Sequence, residues 1–355
     1  MCRKLNRRSL LSQLAKFGAA SIITAAISVS SGPVYAGDLK IGVSIPTLDN
    51  PFWVNAVAFA EHAAASLDIE LIVVGANNRE DKQQTDVQSM LSAGVDALVV
   101  TPQSTANAPG LIKLSNRAGL SIVVVDRYPG FAPTNDSAPY VAFIGPNDVG
   151  AGRDIANYLI SQGATKMVAL GGNPGASVAE GREQGVREAT SANGVELVQY
   201  MGVGESEDDG YRAMQNLLSA HSPGEIDSVW CYNDALCLGA FRAVKQAGRD
   251  GEIILGGMDL VPQVLELIEA DTNMVFSTGG HWLQLGFGVM LAYDQINGHA
   301  PIENIVKLDL LGVNGGNFAQ FKSQFIDDIP PYDIRHYTLT HNPGTARQTF
   351  PLATK

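Results

Sequence analysis

The sequence predicts an α/β fold of two Rossmann-like lobes, each built on a parallel sheet, and three observations carry this prediction. The first is a regular alternation of short apolar runs with segments of helical spacing, which is typical of sheets covered by helices. The second is that the apolar runs are nearly continuous, as expected for strands buried on both faces. The third is their number, because ten strands are many for one open sheet and favour two.

The first 36 residues do not follow this alternation and read as a secretory signal peptide. They carry five basic and no acidic residues, then an apolar stretch at 17–29, and Val34-Tyr35-Ala36 fits a small-x-small cleavage site. The apolar stretch is too short, and too rich in Ser and Thr, to span a bilayer. We therefore expect a periplasmic mature protein that begins at Gly37. Export by the Sec or the twin-arginine route stays open, since Arg7-Arg8 also fits a twin-arginine signal.

The ten predicted strands follow in chain order. They are residues 39–45, 69–74, 96–100, 120–126, 140–145, 166–172, 195–200, 228–232, 252–257 and 274–278. The helical spacing between them is clear at 148–162, where Val149, Ile155 and Leu159 fall on one face. Prolines interrupt the rhythm at 131–146, where we expect the first lobe to end. Beyond Val313 the rhythm is lost, and we expect irregular surface structure.

Candidate ligand-binding residues follow the predicted strands, because ligands of open α/β sheets bind at the carboxyl ends of the strands. These candidates are Asn50, Phe52 and Trp53 after the first strand, Asp126 and Arg127 after the fourth, Arg182 in the helix after the sixth, Asn233 after the eighth and Asp259 after the ninth.

This set of side chains fits a neutral polyhydroxy ligand. An aromatic plane suits the CH face of a sugar, Asp accepts from hydroxyls, and Arg donates in a fork. The charges of Asp126 and Asp259 balance those of Arg127 and Arg182, whereas an anionic ligand would need surplus basic residues. Each residue also has a simpler interpretation taken singly: Asn233 as a helix cap, Phe52 and Trp53 as core, and the Asp-Arg pair as structural.

Seven segments, in order, resemble the landmarks of type I periplasmic binding proteins, of the ribose/galactose branch that serves sugar ABC transporters. They are TLDNPFW, VVVDRYPG, IGPNDVGAGRDIANYL, GASVAEGREQGVREA, MQNLLSAH, YNDALCLGAFRAVKQAG and GGMD. The resemblance covers residues 39–311. It implies two lobes that close over a sugar and are joined by three chain crossings, near 145, 280 and 312.

The resemblance also implies domain bounds and partners. Residues 37–146 with 280–312 form the N-terminal lobe, 147–279 form the C-terminal lobe, and 313–355 are a C-terminal extension. The function implied is capture of a neutral sugar or polyol for an inner-membrane ABC permease, by a monomer without cofactor or metal. The resemblance supports Asn50, Phe52 and Trp53, with Asp126 and Arg127, from one lobe and Arg182, Asn233 and Asp259 from the other.

The departures from the ribose branch put ribose itself in doubt. Thr101 stands in place of an asparagine, Glu205 or Ser206 in place of an aromatic residue, and Gly280 in place of a glutamine. His281 and Trp282 follow Gly280. His281 is the histidine nearest the expected cleft. It is interpreted either as a ligand-binding residue or as a polar residue of the hinge. The long tail is similar to that of accessory proteins that signal to a sensor kinase or chemoreceptor, which is the alternative function.

Other classes of protein lack their signatures here. A dinucleotide loop would need G-x-G-x-x-G after an early strand, and the glycines at 171–175 have the wrong place and spacing. No G-x-S-x-G elbow occurs, and no histidines are paired at metal-binding spacing, so no enzyme is expected. A net charge of −12 argues against nucleic-acid binding. Cys231 and Cys237 are interpreted as two small buried side chains rather than a disulfide framework.

Overall fold

The computed structural model describes residues 39–308, 310–327 and 333–343. The predicted signal peptide at 1–36 lies outside the described residues and stays a prediction. No helix in the described ranges is long and apolar enough to cross a membrane.

Twelve strands and ten α-helices make up these residues. The strands are β1 (Lys40–Ile45), β2 (Glu70–Gly75), β3 (Ala97–Val100), β4 (Ser121–Val125), β5 (Phe143–Pro146), β6 (Lys166–Gly171), β7 (Glu196–Gly202), β8 (Ser228–Cys231), β9 (Ile254–Met258), β10 (Met274–Gly279), β11 (Ile305–Leu308) and β12 (Leu311–Asn314). The helices are α1 (Pro51–Leu67), α2 (Glu80–Ser92), α3 (Ala108–Arg117), α4 (Asp148–Ser161), α5 (Ser177–Asn193), α6 (Glu207–Ala220), α7 (Asp234–Gln246), α8 (Pro262–Glu269), α9 (Gln284–Ile296) and α10 (Phe318–Lys322).

The strands form two six-stranded sheets, which we call the first and second sheet. The first sheet has the order β11-β5-β4-β3-β1-β2, and all of its neighbours are parallel. The second has the order β12-β10-β9-β8-β6-β7, parallel except that β12 runs antiparallel to β10. The predicted fold class is confirmed, and each of the ten predicted strands is present within three residues at either end.

Separate apolar cores cover the sheets. One lies between the first sheet and helices α1 and α9, a smaller one covers its other face, and a third surrounds the second sheet. The inner strands are buried on both faces, for example all four residues of β3 and all four of β8. This burial explains why their sequences are continuously apolar.

Strands β11 and β12 were not predicted, and the expectation of an irregular surface tail was wrong. β12 spans the predicted boundary between residues 312 and 313 and pairs with the second sheet. Beyond it, Phe318 and Phe321 are buried in the core of the second sheet, and Ile334 is buried in the core beside α1 and α9. Both missed strands have only four residues, and neither is continuously buried, so the apolar runs that mark the other strands are absent.

The structure also adds a disulfide that the sequence did not predict for the two cysteines of the described chain. Cys231 ends β8 and Cys237 lies in α7; both are buried, and they are joined by a disulfide with their Cα atoms 5.4 Å apart. Burial was predicted, but the bond was not, because a lone pair of cysteines six positions apart gives no disulfide pattern in the sequence. The bond ties the end of a strand to the helix that follows it.

Candidate functional site

The candidate site is a cavity between the two sheets, at the carboxyl ends of their strands. All nine predicted residues line it: Asn50, Phe52, Trp53, Asp126, Arg127, Arg182, Asn233, Asp259 and His281. Glu205 and Tyr232 complete the lining. Residues from both sheets therefore meet at one place, although they are spread over more than two hundred positions of sequence.

The two aspartates reach the cavity because the backbone turns where their strands end. Asp126 follows β4 with a φ of 65°, and Asp259 follows β9 with a φ of 133°. Positive φ values are uncommon for residues other than glycine, although Asp tolerates them better than most. Such backbone strain is often kept at functional sites.

Asp126 and Arg127 belong to a buried polar network. The Gln284 Nε2 donates to Asp126 Oδ1 at 2.6 Å, while Asp126 Oδ2 lies 3.8 Å from Arg127 Nε. Arg127 donates to the Gln103 carbonyl at 2.8 Å and, through its Nη2, to both carboxylate oxygens of Glu205 at 2.9 and 3.0 Å. The Arg127 Nε itself has no hydrogen-bond partner among the described residues.

Arg182 is held in a similar way from the second sheet. It is 3% exposed. Its Nε donates to Asp148 Oδ1 at 3.0 Å, and its Nη1 donates to the Tyr232 carbonyl at 3.0 Å. Its guanidinium also lies 4.5 Å from the centre of the Tyr232 ring, a cation–π distance.

Aromatic rings form the apolar part of the lining. Phe52 meets Trp53 edge-on with ring centres 4.9 Å apart, and Phe52 stacks on His281 at 4.4 Å. Phe52 and Trp53 also belong to the core between the first sheet and helix α1. Phe52 and Trp53 therefore belong to the core and also line the cavity, and their ligand-binding role stays a prediction.

The two asparagines are helix caps as well as lining residues. Asn50 Oδ1 accepts from the Phe52 N–H at 2.9 Å and begins α1. Asn233 Oδ1 accepts from the Leu236 N–H at 2.8 Å and begins α7, while its Nδ2 donates to the Glu205 carbonyl at 3.1 Å. Capping fixes their side chains at the edge of the cavity.

Burial shifts the pKa values of the titratable groups in the cavity. It raises the pKa of Asp126, against the attraction of Arg127. It raises the pKa of Asp259 well above its usual value, with a further rise from the buried carboxyl of Asp234. Burial, together with the charge of Arg182, lowers the pKa of His281 well below its usual value. The imidazole is therefore neutral at pH 7, although its Nε2 lies 3.6 Å from Asp259 Oδ1.

These residues can recognise a small polar molecule through carboxyl, guanidinium and amide groups set beside aromatic rings. The described chain contains no group of three or more His, Cys, Asp or Glu side chains placed to hold a metal ion. Its sequence matches the family described as "Periplasmic binding protein domain" over residues 41–300.

The chain belongs to this family of periplasmic binding proteins.

Individual relatives agree with this membership. The chain is 28% identical over 225 residues to the ribose import binding protein of Bacillus subtilis (strain 168), covering 62% of this chain and 70% of that protein. It is 29% identical over 314 residues to a putative rhizopine-binding protein of Rhizobium meliloti, covering 85% and 97%. A solved structure of an ABC transporter solute binding protein from Bacillus halodurans C-125, with bound myo-inositol, superposes with a TM-score of 0.72 at 26% identity, covering 81% and 99%.

The binding protein's lining includes residues that the sequence did not single out. Tyr232 directly precedes Asn233, and its place after β8 could have identified it. Glu205 was noted only as one of two residues at a departure from the ribose branch. The structure puts Glu205 in the cavity, and the hydroxyl of its neighbour Ser206 caps α6 by accepting from the Asp209 N–H.

Gln284 supports the site without having been predicted. It lies 158 positions from Asp126, to which it donates, and no local pattern in the sequence indicates this contact.

The other departures lie around the cavity rather than in its wall. Thr101 is buried, and its carbonyl accepts from the Gln83 side chain at 2.7 Å. Gly280 has a φ of 102°, a conformation that suits glycine, and it turns the chain immediately before His281. Trp282 packs against the core of the second sheet and also against the core beside α1.

Proposed function

We propose that this periplasmic binding protein captures a sugar or polyol between its two lobes and delivers it to an inner-membrane ABC importer. One observation carries the proposal. Aspartates and arginines from both sheets meet aromatic rings in a single buried cavity, which is the arrangement that a molecule with hydroxyl edges and CH faces requires.

The number of polar groups is sufficient for useful affinity. A hydrogen bond to a charged group contributes about 1.5–3 kcal/mol. Four or five of them reach the ~8 kcal/mol of micromolar binding. We expect Asp126 and Asp259 to accept from hydroxyls and Arg127 and Arg182 to donate to oxygens. Phe52 and Trp53 supply apolar surface, and Asn50, Asn233 and His281 complete the contacts.

Binding requires movement, because the cavity in the closed arrangement is about 20 Å³, roughly the room of a water molecule. Sites for small organic ligands are usually about 300–1,000 Å³. The lobes must therefore separate, and side chains such as Arg127 and Glu205 must turn, before a sugar can enter.

The related proteins support an importer rather than a sensor kinase or chemoreceptor as the partner. A ribose import protein and an ABC transporter protein with bound myo-inositol are among them. We further propose that the protein is exported with cleavage after Ala36, acts as a monomer and binds its ligand without cofactor, metal or turnover. We place the lobe bounds at 37–146 with 280–312 and at 147–279. The exception is β12, which we assign to the second lobe because it pairs with the second sheet.

A thermal-shift panel of pentoses, hexoses and polyols on the exported protein tests this function. At a hundred times its dissociation constant, a true ligand stabilises the native state by about 2.7 kcal/mol. We expect at least one compound of the panel to do so and to be recovered chemically unchanged. A panel without any stabilising compound, or an altered ligand after incubation, contradicts the proposed function.

A further inference from the structure

Asp234 is a buried acidic residue that the proposed function does not use. It begins α7, directly after Asn233 of the cavity lining, and it is fully buried. It is not among the lining residues of the cavity in the described chain. Because a polar group is costly to bury unless its hydrogen bonds are satisfied, the partners of this carboxyl group indicate its role.

The partners of Asp234 lie on the turn that follows β9 and on β10. Its Oδ2 accepts from the Val261 N–H at 3.0 Å. The Ser277 hydroxyl, 2.9 Å from both carboxyl oxygens, donates to the same group. The Ser277 Oγ in turn accepts from the Leu260 N–H at 3.2 Å. Asp234 therefore holds two successive peptide groups of the turn, one directly and one through Ser277.

This turn has an unfavourable backbone conformation. Asp259 has a φ of 133° and Leu260 has a φ of 57°, and positive φ values are unfavourable because the side chain approaches the backbone too closely. Residues in such conformations persist only where the surrounding structure restrains them. The hydrogen bonds from the turn to Asp234 and Ser277 supply such a restraint.

The neighbouring strands leave room for these contacts. A Cβ on Gly257 of β9 would lie 2.7 Å from Asp234 Oδ1, and a Cβ on Gly279 of β10 would lie 2.8 Å from the Asp259 carbonyl carbon. A side chain at either position would displace the carboxyl group or the turn. Cys237, in the first turn of α7, is joined by its disulfide to the end of β8, which fixes the beginning of the helix that carries Asp234.

We propose that Asp234 is a positioning residue for ligand binding, which holds the turn after β9 so that Asp259 reaches the cavity. This inference rests on the proposed function, in which Asp259 binds ligand hydroxyls. Asp234 does not touch the ligand and acts through Ser277 and the backbone of the turn. Without Asp234 the turn relaxes toward negative φ, and the Asp259 carboxyl group leaves the lining.

Crystal structures of ligand-free variants test the inference without any sugar. In Asp234→Ala we expect a negative φ at Asp259 and a carboxyl group outside the cavity. The matched control is Asp227→Ala, because the Asp227 carboxylate also accepts from backbone, namely the Thr165 and Lys166 N–H groups at 2.8 and 3.0 Å. Asp227 precedes β8, at the strand ends opposite the cavity, so the turn should be unchanged in this control. An unchanged turn in Asp234→Ala overturns the inference.

Calorimetry measures the consequence for binding. D-ribose and myo-inositol are titrated first, then the remaining compounds of the thermal-shift panel, and the tightest of them is used for all variants. We expect Asp234→Ala to bind it about tenfold more weakly or worse, as for the loss of one buried hydrogen bond. Asp227→Ala should bind it within about twofold of wild type, even if it unfolds at a lower urea concentration, because distant sites act independently.

A double-mutant cycle shows whether Asp234 acts through Asp259. Asp259→Gly removes the carboxyl group, and glycine adopts a positive φ without strain. In this background Asp234→Ala should change the affinity by less than about twofold, because no carboxyl group is left to position. Equal losses in the two backgrounds would indicate a merely structural role and overturn the inference.

Ser277→Ala is the second variant, and it decides the question if Asp234→Ala does not fold. It keeps the contact between Asp234 and Val261 but removes the link to Leu260. We expect the same displacement of Asp259 and an affinity about threefold lower or worse; a variant with neither change contradicts the inference. If no compound of the panel binds the wild type, the proposed function fails, whereas the ligand-free structures still show whether Asp234 holds the turn.

Discussion

Asp126 is the residue whose geometry is most specific to the site. Its φ of 65° is unfavourable for most residues, yet this turn places a carboxyl group in a buried cavity with one oxygen held by Gln284. Its other oxygen, Oδ2, lies 3.8 Å from the Arg127 Nε, which is too long for a hydrogen bond. The residue thus keeps accepting capacity that nothing in the described lining uses.

Replacement of Asp126 by alanine should therefore weaken ligand binding far more than it weakens the fold. Ligand hydroxyls that bind this carboxylate would be left unpaired in a closed cavity, at a cost of about 2–4 kcal/mol, or roughly 30- to 1,000-fold in affinity. Calorimetry with the tightest compound of the panel measures the loss. Asp208→Ala, at an exposed position, is the control and should bind as the wild type does. An Asp126→Ala protein within threefold of wild type would show that the site is misplaced.

For individual residues, the sequence predicted the lining of the cavity well where a lining residue directly follows a strand. Asp126 and Asp259 follow apolar runs directly, so the rule for parallel sheets was enough to select them. Gln284 could not be predicted, because its contact with Asp126 depends on how the chain returns to the first sheet. The ligand-binding role of all these residues is a prediction that the mutants test.

Among the elements, helix pairs beside the second sheet approach each other through glycines. A Cβ on Gly152 of α4 would lie 2.1 Å from the Arg182 carbonyl oxygen of α5, and a Cβ on Gly185 of α5 would lie 2.2 Å from the Val149 carbonyl oxygen of α4. The same relation holds between α6 and α7, where Gly210 and Gly239 face backbone oxygens at 2.1 and 2.0 Å. Since Arg182 lies on α5, the spacing of α4 and α5 also sets its place in the cavity.

Gly152→Ala should consequently destabilise the protein and weaken ligand binding. The added methyl group has to push α5 and the backbone of Arg182 away, at a cost typical of overpacking, about 1–3 kcal/mol. Urea unfolding measures the free energy, and calorimetry measures the affinity.

The matched control for this change is Gly110→Ala. Gly110 also lies in a helix, α3, but a Cβ there meets nothing within 4 Å. Its unfolding free energy should stay the same or rise by up to about 1 kcal/mol, because alanine restricts the unfolded chain. Equal stability of the two variants would contradict the close-approach argument.

Strands with continuous apolar runs could be predicted, and strands without them could not. The four-residue strands β3, β5 and β8 are buried throughout and were predicted, whereas β11 has alternating burial over four residues and β12 has only one buried residue. Their pairing with β5 and β10 is decided by the sheets already formed, a tertiary effect that outweighs weak local signals. The disulfide between Cys231 and Cys237 likewise follows from the geometry of the turn from β8 into α7.

Over the whole molecule, the chain passes between the two sheets at the three places that the resemblance implied. It passes from β5 to α4, from β10 to α9, and from β11 to β12. The described part of the tail then contacts both lobes. Phe318 and Phe321 pack in the core of the second sheet, while Ile334, fully buried, packs in the core of the first. The tail is therefore part of the packed structure, which its loss of strand–helix rhythm did not reveal.

The tail is fastened to the first lobe by Asp294 of α9. This carboxylate is 1% exposed and accepts from the Leu339 N–H at 2.8 Å, from the Thr340 N–H at 3.0 Å and from the Thr340 hydroxyl at 2.7 Å. Tyr337 adds an edge-on contact with Phe287, with ring centres 5.9 Å apart. Three hydrogen bonds to one buried charge make Asp294 the main polar anchor for this segment.

Asp294→Ala should release the tail and lower the stability of the lobe to which it is fastened. Loss of the carboxylate leaves the half-buried backbone donors of Leu339 and Thr340 without their partner, at a cost of about 1–3 kcal/mol in the free energy of unfolding. Thr340→Ala, which removes the hydroxyl bond and keeps both backbone bonds, should cost clearly less. Asp250→Ala, at an exposed position, should leave stability unchanged. Limited digestion with trypsin provides the second readout, because Arg335 is exposed and release of the tail would free the surrounding backbone to enter the protease. If Asp294→Ala unfolds at the same urea concentration as Asp250→Ala and resists trypsin equally, the tail is not held by this carboxylate, and its contacts with the two cores must hold it in place by apolar packing alone.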